Sequence, residues 1–225
     1  MNKLKKDTNK GFISLLIICV VLIIDQWIKI EVKTNMALGD SYHVASWFQI
    51  YFIENNGMAY GMTFINKIVL SLFRIIAVCF IGYYISKQIK QNAGMGYIVC
   101  LSLVLAGAAG NILDSMFYGM VFSESTAFSV STFVGWGNGY APFLMGKVVD
   151  MFYFPIINTT WPSWFPIWGG ERFIFFSPVF NFADSCISVG VILLLLFFRK
   201  QLATISFSAK RTVEKKDESQ SASNN

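Results

Sequence analysis

Four stretches of the chain are apolar enough to span a bilayer: residues 12–30, 69–88, 95–117 and 180–198, to within a few positions. Each approaches the roughly 20 residues that a helix needs to cross about 30 Å of hydrocarbon. The pattern predicts an all-α integral membrane protein with four transmembrane helices. Two long segments, about 31–68 and 118–179, interrupt it. In "SYHVASWFQIYFIENNGMAYGM" aromatic and β-branched residues nearly alternate with polar ones. That predicts short strands, with Asn55-Asn56-Gly57 as a turn or bulge, and so a small β-containing cradle. The second segment is rich in Gly, Ser, Pro and aromatic residues. Trp161, Trp164 and Trp168 suit a loop lying on lipid headgroups, and equally a packed extracytoplasmic subdomain.

Composition strengthens the membrane reading. Of 225 residues, 55% are hydrophobic and only 14% charged, against about 25% charged in a soluble domain. Mean hydropathy is +0.54. The net charge of +5 does not indicate nucleic acid, because the basic residues flank the apolar runs. Lys3, Lys5, Lys6 and Lys10 precede the first, Lys87 and Lys90 follow the second, and Arg199 and Lys200 follow the fourth. Positive flanks mark the cytoplasmic side, so both termini are expected inside (N-in/C-in) and both long segments outside. Residues 1–203 then form the membrane domain, and 204–225 a polar, disordered cytoplasmic tail. The first apolar run lacks a small-residue cleavage site and reads as a retained helix. Cys19, Cys79, Cys100 and Cys186 all fall within spans without metal-ligand spacing, and read as packing residues.

With this topology the intramembrane polar residues converge. Asp25 and Lys29, Asn111 and Asp114, and Asn181 and Asp184 each lie at the outer end of a span. Each pair is spaced three or four apart, on one helix face. Arg74, early in the second span, reaches the same depth. Each pair has a plain structural reading: a snorkelling ion pair, interhelical hydrogen bonds, or an N-cap by Asn181. Their meeting at one depth favours a site, because ionisable groups in a membrane are costly and usually functional. An ion or proton pathway is the rival reading, but it calls for polar residues across the membrane rather than in one layer. Asp150, in "GKVVDMFYFP", reads from position alone as an exposed loop carboxylate. His43 is the sole histidine, so a serine–histidine triad is poorly supported, and no H-E-x-x-H motif occurs.

Five short motifs, in order, resemble those of lipoprotein signal peptidase, the signal peptidase II family of bacterial membrane aspartic proteases. "DQWIK" (25–29) resembles D-Q-x-x-K, and "NNGMAYG" (55–61) resembles N-x-G-A-A-F-G. "GNILDS" (110–115) resembles G-N-x-x-D-R, "VVDMF" (148–152) resembles V-V-D-F or V-V-D-M, and "FNFADSCI" (180–187) resembles F-N-x-A-D-x-A-I. The resemblance implies that Asp150 and Asp184 are the catalytic aspartates. Asn55, Asn111 and Asn181 would line the site, with Asp25, Lys29 and Asp114 as supporting residues. It implies cleavage of prolipoproteins before a diacylglyceryl-modified cysteine, with no cofactor or metal. The enzyme would be a multi-pass monomer of the bacterial inner membrane, in contact with membrane lipid, its site toward the extracytoplasmic face. Two carboxylates about 3 Å apart resist double ionisation and share a proton, which suits one to activate water and the other to polarise a carbonyl.

Two features depart from the family pattern. Ser115 stands where the family usually has arginine, so Arg74 or Lys29 is expected to balance Asp25 and Asp114. On that view Arg74→Gln weakens the protein and Ser115→Arg partly restores it. Segments 121–146 and 155–178 are also longer than in compact members.

Overall fold

The computed structural model describes residues 2–56 and 67–203. Helix α1 spans Asn2–Asn35, α2 Lys67–Lys90, α3 Met95–Leu113 and α5 Phe182–Phe197. A π-helical turn, Asp114–Tyr118, and the short α4, Gly119–Val121, prolong α3 without a break. Among the described residues three helical stretches are long and apolar enough to cross a membrane: Thr8–Asn35, Lys67–Lys90 and Met95–Val121. Helix α5 is apolar but has 16 residues, about 24 Å at 1.5 Å per residue. It falls short of a full span by that measure. The first helix runs past the expected 30 to Asn35, so Lys33 is helical too. The tail from 204 lies outside the described residues, as does the 57–61 part of the "NNGMAYG" motif.

The all-α expectation is corrected by six strands. The order β1 (Ser41–Ala45), β2 (Phe48–Asn55), β3 (Val148–Tyr153), β6 (Val179–Phe180) makes one antiparallel sheet, and β4 (Ile157–Thr160) pairs with β5 (Arg172–Phe175). The reason lies in the outer segments, whose alternating aromatic and β-branched residues fit a pleated, half-buried surface better than a helix. Between Ile50 and Ile53 the β2–β3 register shifts by one residue. This bulge turns Phe52 inward with Val149 and Met151, all fully buried, against Val32, Tyr118, Val121 and Phe122. Asp150, between two buried apolar neighbours, points to the opposite face of β3.

Helix α3 is the centre of the bundle. Its N-terminal half packs Tyr97, Ile98 and Leu101 with Ile85 of α2 and Leu194 of α5. Toward its C-terminal end, Gly110 lets α1 and α5 approach closely: a Cβ there would lie 2.6 Å from Asp25 Oδ2 and 3.3 Å from the Ala183 Cβ. Small residues at such crossings let membrane helices approach backbone to backbone. All four cysteines are free, as expected, although Cys19 and Cys79 are exposed and only Cys100 and Cys186 are buried.

Candidate active site

The sheet brings the site together. Phe152 pairs with Phe180 across β3 and β6, and Asn181 follows Phe180 at once, so β3 delivers Asp150 directly to the start of α5. There Asn181 does two jobs. Its Oδ1 accepts from the Asp184 backbone N–H at 2.9 Å, and the Asp184 carboxylate accepts in return from the Asn181 N–H, forming a capping box. Its Nδ2 donates to Asp150 Oδ1 at 2.7 Å and to Asn111 Oδ1 at 3.0 Å. Asn111 Nδ2 in turn donates to Asp184 Oδ1 at 2.8 Å. Each aspartate is thus held by an asparagine, and the two asparagines are joined. Asn55 Nδ2 reaches Asp150 Oδ2 at 3.3 Å from β2.

Beneath this pair lies a buried ion cluster. Lys29 Nζ meets Asp25 Oδ2 at 2.9 Å, Asp114 Oδ2 at 2.8 Å and Asn111 Oδ1 at 2.9 Å. All three charged side chains are fully buried. The second oxygen of Asp25 accepts from the Ala183 N–H at 2.9 Å and fixes the first turn of α5, while Asp114 accepts from Val149 N–H at 3.3 Å and touches β3. Lys29 therefore pairs with both carboxylates at once and orients Asn111. Arg74 lies within electrostatic reach of Asp184 most strongly, then Asp150, then Asp114. Ser115 is 1% exposed, and its hydroxyl donates to the Asn111 carbonyl at 3.2 Å. Its carbonyl accepts from Gly146 N–H at 2.9 Å, and a Cβ on Gly146 would lie 2.2 Å from the Asp114 carbonyl oxygen. The loop backbone at Gly146 thus packs directly on the turn that carries Ser115.

Burial first, then the neighbouring charge of Asp184, pushes the Asp150 carboxyl up to about 7, against the donors Asn55 and Asn181 that hold it down. A carboxyl poised near neutrality can carry a proton in one step and release it in the next. Asp184 sits in the first turn of α5, where a helix N-terminus favours negative charge. Every candidate residue named from the sequence lies within this network or in its electrostatic reach.

Sequence reasoning passed over two supports. Gln26 Nε2 donates to Asp114 Oδ1 at 2.8 Å and to the Gly110 carbonyl at 3.2 Å, and its Oε1 accepts from the Tyr118 hydroxyl at 3.2 Å. Its position inside "DQWIK" was the available signal. Lys33, four residues beyond Lys29, bonds Glu54 of β2 and, at 2.9 Å, Ser125. The repeat Asp25, Lys29, Lys33 on one helix face was the signal there.

Membrane-length helices capped by a small sheet, with Asp150 and Asp184 held by linked asparagines at the junction, define a membrane protein with a cluster of carboxylates where sheet and helices meet. The chain belongs to the signal peptidase II family: the model described as "Signal peptidase (SPase) II" matches residues 17–200. The lipoprotein signal peptidase of Porphyromonas gingivalis (strain W83) is 49% identical over 205 residues, covering 91% of this chain and 90% of its own. That of Amoebophilus asiaticus is 33% identical over 184 residues, covering 79% and 73%. A bacterial membrane enzyme structure solved in meso at 1.9 Å is similar with a TM-score of 0.54 and 28% identity, over 81% of this chain and 90% of that one. A second, at 2.3 Å, gives 0.56 and 26% over 85% and 90%. The family is one of peptidases, so the chain is a membrane-bound hydrolase.

Proposed function

We propose that this chain is an aspartic endopeptidase that removes signal peptides from prolipoproteins, cutting before the diacylglyceryl-modified cysteine. The observation that carries the reading is the linked pair of Asp150 and Asp184, each on its own asparagine, with Asp150 raised to about 7. The shared proton resides on Asp150. Protonated Asp150 polarises the scissile carbonyl, while ionised Asp184, supported by Asn111 and the α5 N-terminus, accepts a proton from the attacking water. Asn55 and Asn181 steer Asp150. Arg74 tempers the charge of the pair, and Lys29 with Asp25 and Asp114 holds the frame beneath.

The same reading completes the topology. Helix α5 serves as a fourth, shorter span, both termini are cytoplasmic, and the site opens toward the outer face of the bacterial inner membrane. The lipid chains of the substrate then stay in the bilayer while its peptide crosses the β3–α5 junction. The enzyme acts as a monomer. A transport role is less well supported, because the buried carboxylates all gather at one end of the helices, and Lys10 is the sole buried charge among the described residues at the other. Purified protein in lipid nanodiscs is expected to cut a diacylglyceryl-modified prolipoprotein peptide at the bond before the cysteine and to leave the unmodified peptide intact. Equal cleavage of both peptides, or of neither, would overturn the assignment.

A further inference from the structure

A second feature at the same depth faces away from the aspartates. Between the outer end of α1 and the π turn lies a groove of about 650 Å³, lined by Ile30, Thr34, Phe117, Tyr118, Phe133 and Trp136, among others. At about 30 Å³ each, it has room for some twenty water-sized groups. Yet it offers water little to bond. The Thr34 hydroxyl is turned back to the Ile30 carbonyl at 2.8 Å, and the Tyr118 hydroxyl is turned inward to Gln26. Edge-to-face rings build its walls: Phe117 against Trp136 at 5.8 Å, and Phe122 against Phe133 at 6.0 Å. The groove is also continuous with the lipid-facing surface, since Ile23, Trp27 and Ile30 form an exposed stripe on α1 that leads into it.

We propose that this groove is a resident site for one acyl chain of a bilayer phospholipid, and that its filling steadies the π turn. Inside a membrane an apolar groove that water does not wet has the acyl chain as its natural filler. The second half of the proposal follows from where the wall residues sit. The same five-residue π turn carries Asp114, bound to Lys29 and Gln26 on one side, and Phe117 and Tyr118, which face the groove. Such π turns are inserted at a cost and recur at functional sites. Tyr118 ties wall to network through Gln26, so packing at the wall is felt at Asp114 and beneath Asn111. The inference rests on the membrane assignment and not on the identity of the reacting groups.

The test needs no substrate. The full chain, purified in mild detergent, is examined by native mass spectrometry for retained phospholipid and by hydrogen exchange over residues 114–122. The wild type is expected to retain one phospholipid per chain and to exchange more slowly in this segment when lipid is present. Thr34→Phe, which fills the groove, and Trp136→Ala, which removes an exposed wall ring, are each expected to cut occupancy about tenfold. Both should also abolish the lipid effect on exchange. If Thr34→Phe does not accumulate, the exposed Trp136 position still decides the matter. Equal lipid retention in wild type and variants would overturn the proposal. So would unchanged exchange on lipid loss, or lipid held only once a diacylglyceryl peptide is added, which would make the groove part of the substrate path. Cleavage is not read at any point, so the result stands apart from the peptidase assignment.

Discussion

Lys29 and Lys33 lie one turn apart on the same face of α1, and both are fully buried, yet they serve different structures. Lys29 meets two carboxylates and an asparagine that holds Asp184. Lys33 meets one carboxylate, Glu54, and a serine, Ser125, and faces the rings of Tyr140 at 5.2 Å and Phe122 at 5.7 Å. Glu54 has a second cation within reach, Lys147 at 3.4 Å. The first lysine is the only cation paired to both Asp25 and Asp114 among the described residues. The second is one of two on its carboxylate, in a contact that fastens the long 121–147 segment to β2. A buried lysine is therefore not by itself a sign of the site. What distinguishes Lys29 is that it bonds Asn111, the asparagine that holds Asp184 and accepts from Asn181.

Removing each charge in turn separates the two lysines most clearly. Lys29→Met leaves two buried carboxylates facing each other, and breaking such a cluster is expected to cost about 3–5 kcal/mol, with activity falling alongside. Lys33→Met leaves Glu54 to Lys147 and Ser125, and about 1–3 kcal/mol is expected, with turnover per folded molecule nearly unchanged. Thermal melting in detergent and turnover normalised to folded protein separate the two. Equal losses of turnover would erase the distinction.

The titration of Asp150 sharpens it further. A carboxyl raised from its ordinary value near 4 to about 7 keeps a proton in the folded state that the unfolded chain has already lost. Between those values stability falls as pH rises, and it stays lower above pH 7. Asp150→Asn is therefore expected to raise the melting temperature at pH 8 while changing it little at pH 4. A drop in stability for Asp150→Asn at pH 8 would show that its charge is well compensated. In the wild type, turnover should decline as pH rises through about 7, when the shared proton is lost.

The smallest effect concerns Ser115. With the loop at Gly146 pressed on the π turn, Ser115→Arg is expected to destabilise the protein by about 1–3 kcal/mol, as overpacking does, and not to compensate for Arg74→Gln. Melting of the two single variants and the double variant measures any coupling. Restored stability in the double variant would bring Arg74 back as the missing cation.

Much of this was legible in the chain itself. Three spans, the strand-forming outer segment and the depth shared by Asp25, Lys29, Asn111, Asp114, Asn181 and Asp184 follow from hydropathy and helical spacing. Asn181 was readable as an N-cap because that role is local. Asp150 was not legible from its surroundings, because its burial depends on β3 pairing with β6 and β2, contacts distant in sequence. The motif resemblance supplied it instead. The partners of Lys33 were hidden because Ser125 and the rest of residues 121–147 reach it only through contacts distant in sequence. The packing around Ser115 was hidden for the same reason: its carbonyl accepts from Gly146, thirty-one positions away.

The central claim is that Asp150 and Asp184 act as one proton-sharing pair. Its most direct measurement is single-turnover cleavage of a diacylglyceryl-modified prolipoprotein peptide by wild type, Asp150→Asn, Asp184→Asn and the double variant, at matched folded amounts. If the pair acts as a unit, each single change removes about 10³-fold or more of the rate and the double change removes little beyond that. Near-normal cleavage by either single variant, or losses that simply multiply in the double one, would contradict the account.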